Sequence, residues 1–187
     1  MDAEKILNNV KHLISCRSFG SAESILSFFV STNASGKANY ETAVELLGDI
    51  AFEKREFRKS SILYEQAINS KKGSTNFGEL ANLRYKEALC YIERGDFTTA
   101  IKSLECIPPA LRSEKIQTCF AELYTGVNLR RTSISAHKST FSSYPWNLDS
   151  LRALVDLGVD VQELQKTVDN ACKGDNSIKD CFGNGII

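Results

Sequence analysis

At 187 residues the chain is long enough for one domain with a substantial core, and its 23 basic residues balance 23 acidic ones. A duplex or RNA partner needs a sustained basic surface to release counterions from phosphates, and no segment supplies one, so nucleic-acid binding is not expected. Asp2, Glu4 and Lys5 interrupt the N-terminus before any apolar run of signal-peptide length, and no stretch approaches the roughly 18 apolar residues of a membrane span. A soluble intracellular chain with no membrane partner is therefore expected.

Ile6, Val10, Leu13 and Ile14 recur at helical spacing and predict a helix over 3–16, followed after a break at Phe19-Gly20 by a second over 20–31. This second helix carries the most unusual surface of the chain. At about 100° per residue, Ala22, Ile25, Leu26, Phe28, Phe29 and Val30 cover an arc of roughly 200°, about twice the stripe that one core face requires. Packing against the next hairpin absorbs part of that arc. The remainder leaves Phe28, with Val30 beside it, as an apolar patch of the kind that marks an interface.

The segment 32–39 (TNASGKAN) reads as a loop, and its Asn33-Ala34-Ser35 matches a glycosylation acceptor by chance in a chain that nothing directs to secretion. Helices are predicted over 40–54 and 57–71, joined at the charged turn Lys54-Arg55-Glu56, and a loop rich in Gly, Ser, Thr and Asn follows at 71–79. The next pair covers 79–94 and 97–107; Gly95 supplies the left-handed turn between them and Asp96 caps the second helix. Pro108-Pro109 ends that helix, because proline lacks the amide donor and clashes with the turn before it. A fourth pair is read over 112–126 and 131–143, stopped by Pro145, and a partial fifth over 147–157 and 161–173. Residues 174–187 have three glycines and no period and are expected to be a disordered tail. The expected fold is thus all-α, with stacked antiparallel helix pairs in one domain over 1–173. Such stacks close with a helix whose outer face is polar, so either 161–173 is that cap or the chain is a shortened form of a longer array.

A small residue is followed twelve positions later by another at Gly48 and Ser60, Ala88 and Ala100, Ala121 and Ser133, and more loosely at Val10 and Ala22. Helices approach closely only where the crossing side chains are small. Aromatic residues flank these positions (Phe57, Tyr91, Phe97, Tyr124) and are placed to fill the space between hairpins. The pattern resembles the tetratricopeptide repeat, whose period is about 34 residues. The anchors Gly48, Ala88 and Ala121 stand 40 and 33 apart, with both irregularities falling between hairpins.

No motif for nucleophilic, metal-dependent or nucleotide-dependent catalysis occurs, and His12 and His137 are isolated, so no enzymatic role and no cofactor are expected. Cys16, Cys90, Cys106, Cys119, Cys172 and Cys181 form no CxxC pair and have no zinc-ligand spacing. They read as reduced side chains, with Cys90, Cys106 and Cys119 at core positions. Glu45, Asp49 and Glu53 share a helix face at i, i+4 spacing and read as a solvated acidic face. Arg130-Arg131-Thr132-Ser133 resembles a basophilic kinase site, yet Ser133 is itself a small crossing residue, and the packing role is preferred. The groove of a helix-pair stack is expected to present Glu45 and Asp49, then Tyr85 and Leu89, then Thr118 and Glu122. Acidic and neutral residues cannot clamp a terminal carboxylate as the chaperone-binding members do.

The order of features carries a closer likeness. The N-terminal hairpin, the insertion before LRYKEALCY, then AIKSLECIP, EKIQTCFAELY and SSYPWNLDSLRALVDLGV resemble the family of seventh subunits of the anaphase-promoting complex, the cyclosome, from about residue 5 to 159. The resemblance implies a non-catalytic scaffold subunit of a cell-cycle ubiquitin ligase, acting in nucleus and cytoplasm beside other tetratricopeptide subunits. It also implies a homodimer through the N-terminal helices, which places Ile6, Val10, Leu13, Ile25, Phe28 and Phe29 at the interface. The alternative is a peptide-binding adaptor outside that complex, working through the groove at Glu45, Asp49, Tyr85, Leu89 and Glu122.

Overall fold

Helical periodicity in the sequence becomes ten α-helices in the computed structural model, which describes residues 3–32, 38–71 and 76–171 and has no strand among them. The chain forms two compact units, Met1–Leu111 and Arg112–Ile187. The first holds α1 (Ala3–Ser15), α2 (Phe19–Thr32), α3 (Ala38–Glu53), α4 (Phe57–Ser70), α5 (Phe77–Glu93), α6 (Phe97–Glu105) and a 3-10 turn at Pro109–Leu111. The second holds α7 (Glu114–Gly126), α8 (Arg130–Ser143), α9 (Leu148–Asp156) and α10 (Val161–Ala171). Asn33-Ala34-Ser35, Cys172, Cys181 and the expected tail at 174–187 lie outside the described residues.

Within the first unit α3 packs on both sides. One cluster joins Leu7 and Val10 of α1, Ala22, Leu26 and Phe29 of α2, and Ala43, Leu47 and Ile50 of α3. Another joins Tyr40 and Val44 of α3, Tyr64, Ala67 and Ile68 of α4, and Leu83 and Cys90 of α5. Burial of these apolar side chains at roughly 25 cal/mol per Å² is the main favourable term for the unit. In the second unit Phe141 of α8 meets Val168 of α10, with Leu151 and Ala171 packed against them. Leu164, Thr167 and Val168 turn inward from α10, while Gln162, Glu163, Gln165, Lys166, Asp169 and Asn170 leave it a polar outer face.

The small residues meet at the crossings. Ser60 Oγ donates to the Gly48 carbonyl at 2.8 Å, tying α4 to α3 through the close approach itself. Ala88 and Ala100 are fully buried, as are Val10 and Ala22, and Ser133 Oγ lies 3.5 Å from the Ala121 carbonyl. Ser133 has no exposed surface, consistent with packing and against access by a kinase in the folded chain.

Each helix pair turns in the same way. Arg17, Arg55, Gly95, Asn128 and Gly158 all have left-handed φ values, between 58° and 75°. The amide after each donates back to the carbonyl five residues earlier: Ser18 to Leu13, Glu56 to Ala51, Asp96 to Tyr91, Leu129 to Tyr124 and Val159 to Leu154. This is the Schellman closure, which satisfies carbonyls at a helix end. It corrects the first break: the chain turns at Cys16-Arg17-Ser18, and Phe19 and Gly20 already belong to α2. Asp96 caps α6 as expected, accepting from the Thr99 amide at 3.1 Å. Cys90 and Cys119 are buried, with burial pushing both thiols up to about 11, whereas Cys106 is exposed and not at a core position.

Candidate interaction surfaces

Helix α2 has one charged residue among its 14, and that charge is occupied. Glu23 accepts from Lys54 and, at 2.6 Å, from Lys59, and these bonds hold its carboxyl below the usual range. On the side away from the core, Ile25 is 40% and Phe28 68% exposed, among Ser21, Ser24, Ser27 and Ser31, which are also exposed. An exposed apolar pair three residues apart, one of them aromatic and with no free charge beside it, has the charge-depleted character of an interface centre.

The six residues expected at a dimer interface therefore separate. Val10 and Phe29 are buried within their own chain, in the cluster formed with α3. Ile6 and Leu13 are partly buried against that cluster, as is Val30, which closes the gap towards α3 and α4 instead of joining an exposed patch. Ile25 and Phe28 remain on the surface.

The acidic face of α3 is not simply solvated. Lys86 of α5 donates to Glu45 Oε1 at 2.8 Å and to both oxygens of Asp49 at 2.8 and 3.0 Å. Tyr64 Oη donates to Asp49 Oδ1 at 2.7 Å, and the Lys86 ammonium stands 5.8 Å from the Tyr64 ring centre. Burial works against the charged Lys86, but the bonds and charges of Asp49 and Glu45 outweigh it and raise the group above the ordinary lysine range. Glu53 alone of the three acids is exposed. Tyr85 and Leu89 are half-buried on α5. On the same helix the carboxylate of Glu87 is buried and is held by Arg84 at 2.9 Å and by Ser103 of α6.

In the second unit, Asn147 seats α9 on α7. Its amide nitrogen donates to Glu114 Oε1 at 3.0 Å and Thr118 Oγ1 at 2.9 Å, while its oxygen caps α9 by accepting from the Ser150 amide at 3.0 Å. Between these helices and α8 lies an open cavity of about 350 Å³ whose lining includes Thr118, Glu122, His137, Asp149 and Ser150. Burial and the nearby Asp149 both push the Glu122 carboxyl up, and burial pulls the His137 imidazole down. Glu122 was legible as a groove residue; His137, Asp149 and Ser150 were not. Among the described residues no group of three or more His, Cys, Asp or Glu side chains is placed to hold a metal ion, and no helix is long and apolar enough to cross a membrane.

No known family profile matches the chain. It is 25% identical over 185 residues to anaphase-promoting complex subunit 7 of Dictyostelium discoideum, an alignment covering 88% of this chain and 32% of the relative. It is 25% identical over 130 residues to the human protein of that name, covering 59% of this chain and 23% of the relative. The chain thus spans a third or less of the curated relatives it matches. Among solved structures it is similar to YrrB, a tetratricopeptide protein, with a TM-score of 0.67 at 14% identity over 97% of this chain and 92% of that one. It is likewise similar to a putative kinesin light chain of Podosopora anserina, with a TM-score of 0.68 at 13% identity over 97% of each. The fold is that of the tetratricopeptide repeat.

Proposed function

We propose that the chain is a non-catalytic scaffold module of an anaphase-promoting-complex type of ubiquitin ligase, joined to a second copy of itself through α2, and acting in nucleus and cytoplasm. The tetratricopeptide fold serves protein interaction, and the likeness to the seventh subunit in two organisms supports the particular assembly. The observation that carries the self-association is the Phe28 ring, 68% exposed beside Ile25 on a helix whose only charge is paired. A second copy docking there would cover the Phe28 ring and the Ile25 side chain without desolvating a free charge.

The adaptor reading has less support at α3 and α5. Lys86 does bring a cation to that face, but Glu45 and Asp49 already neutralise it, so it has no free charge with which to grip a carboxylate. The membership proposal is tested by recovering the tagged chain from dividing cells. Other tetratricopeptide subunits of the ligase are expected to copurify, at reduced yield with Phe28→Glu if the dimer is the unit that assembles. Recovery of unrelated partners without any ligase subunit would refute it.

A further inference from the structure

In the first unit a cavity of about 660 Å³ opens to solvent beside the first two turns of α4, with Arg94 at the end of α5 on its lining. Its inner surface is mostly apolar: Phe57 and Leu63 are half-buried there, and Ile62 is 57% exposed. Four cations line the same space, Arg55, Arg58, Lys59 and Arg94, against one acid, Glu56.

The acids nearby are already engaged. Glu56 pairs with Lys59 at 3.3 Å, Glu23 of α2 pairs with the same Lys59 and with Lys54, and Asp96 accepts from the Thr99 amide as the cap of α6. Among the described residues Arg55, Arg58 and Arg94 have no ion pair and no side-chain hydrogen bond; Arg94 stands over the Tyr91 ring at 5.7 Å, and all three are exposed. Three free guanidinium groups therefore line one apolar cavity. Fold stability does not ask for this charge. The first turn of α4 holds no acid, and the positive end of the helix dipole disfavours the cation of Arg58 there. Arg55 holds a left-handed φ of 60°, a conformation that glycine takes at the matching turn, Gly95.

We propose that this cavity docks an extended acidic segment of another protein chain, with an apolar side chain of that segment on Ile62 and Leu63 and its carboxylates against Arg55, Arg58 and Arg94. Charge and shape together select this occupant. A guanidinium fork meets a carboxylate in two parallel bonds, and its carbon stem extends the apolar floor. A small free anion would leave Ile62 uncovered in a cavity that has the size of an ordinary ligand pocket. A nucleic-acid strand would bring a run of phosphates to a chain that has no sustained basic surface.

The test uses the full chain labelled with nitrogen-15, titrated at low salt with the blocked pentapeptide Ac-Asp-Glu-Leu-Asp-Glu-amide, its counterpart with Asn and Gln for the acids, its counterpart with Ser for Leu, and decathymidylate. Saturable shifts of the Arg58, Ile62 and Arg94 amides are expected with the acidic peptide, at least about tenfold tighter than with the uncharged one and weakening as salt is raised. Arg55→Gly with Arg58→Glu relieves a left-handed side chain and puts an acid in the first turn of a helix, so the double variant is expected to melt no lower than the parent. Its affinity for the acidic peptide is expected to fall by at least about tenfold. No saturable shift, equal binding of the acidic and uncharged peptides, binding indifferent to salt, or unchanged affinity in the double variant would overturn the site. The serine peptide binding as tightly as the leucine peptide would overturn the role of Ile62 and Leu63, and decathymidylate as tight as the peptide would overturn a protein occupant.

Discussion

A methyl group added to Gly48 would stand 2.7 Å from Tyr64 Cε1 and 2.8 Å from Cδ1, closer than side-chain carbons pack. Tyr64 cannot yield: it is buried, and its hydroxyl is held by Asp49. Alanine gains about 1 kcal/mol over glycine within a helix, but overpacking costs about 1–3 kcal/mol, so Gly48→Ala is expected to lower stability. Gly20→Ala, where nothing lies within 4 Å, is expected to hold or raise it, and denaturant melts of the pair compare the two effects directly. Glu122 provides the pH counterpart. Its folded-state pKa is raised by burial and Asp149, so the fold favours the protonated acid. Stability tied to this group is fully present below the ordinary glutamate range and lost as the pH rises through the raised value. Glu122→Gln should therefore melt higher than the parent at pH 7, with the gap closing as the pH falls below the ordinary glutamate range. A gap independent of pH would contradict this account of the site.

The helix pairs show how one backbone closure recurs on unrelated residues. Gly95 and Gly158 accept the left-handed conformation freely, Asn128 tolerates it, and Arg17 and Arg55 are held in it by the closing bonds. Arg55→Gly, at an exposed turn, is expected to raise stability by about 1 kcal/mol, measurable by chemical denaturation. Helix limits were legible because apolar periodicity stops where these turns begin. The first was misplaced because Gly20 attracted the break that Arg17 in fact makes. Lys86 was missed for a different reason: its partners Glu45 and Asp49 lie on another helix 41 and 37 residues away, and periodicity along a single helix reports nothing about that neighbour. The same limit hid the grouping of His137 and Ser150 around Glu122. Cys106 was read as a core position of a helix running to 107, but α6 ends at Glu105 and Cys106 is its exposed C-cap.

Across the whole molecule the formal charge balances to zero, and Phe28 is the most exposed of the large apolar side chains among the described residues. The apolar arc of α2 was visible in the sequence as too wide for one core, and burial of Leu26 and Phe29 against α3 leaves Ile25 and Phe28 as the excess. Because Phe28 makes so little contact within its own chain, its replacement separates association from folding, which a change at Val10 or Phe29 would not. Sedimentation equilibrium of the parent chain and of Phe28→Glu at tens of micromolar tests this most directly. Twice the chain mass for the parent and a single chain mass for the variant, at equal melting temperature for the separated chains, is the predicted result. A parent that sediments as a monomer, or a variant that remains a dimer, would contradict it.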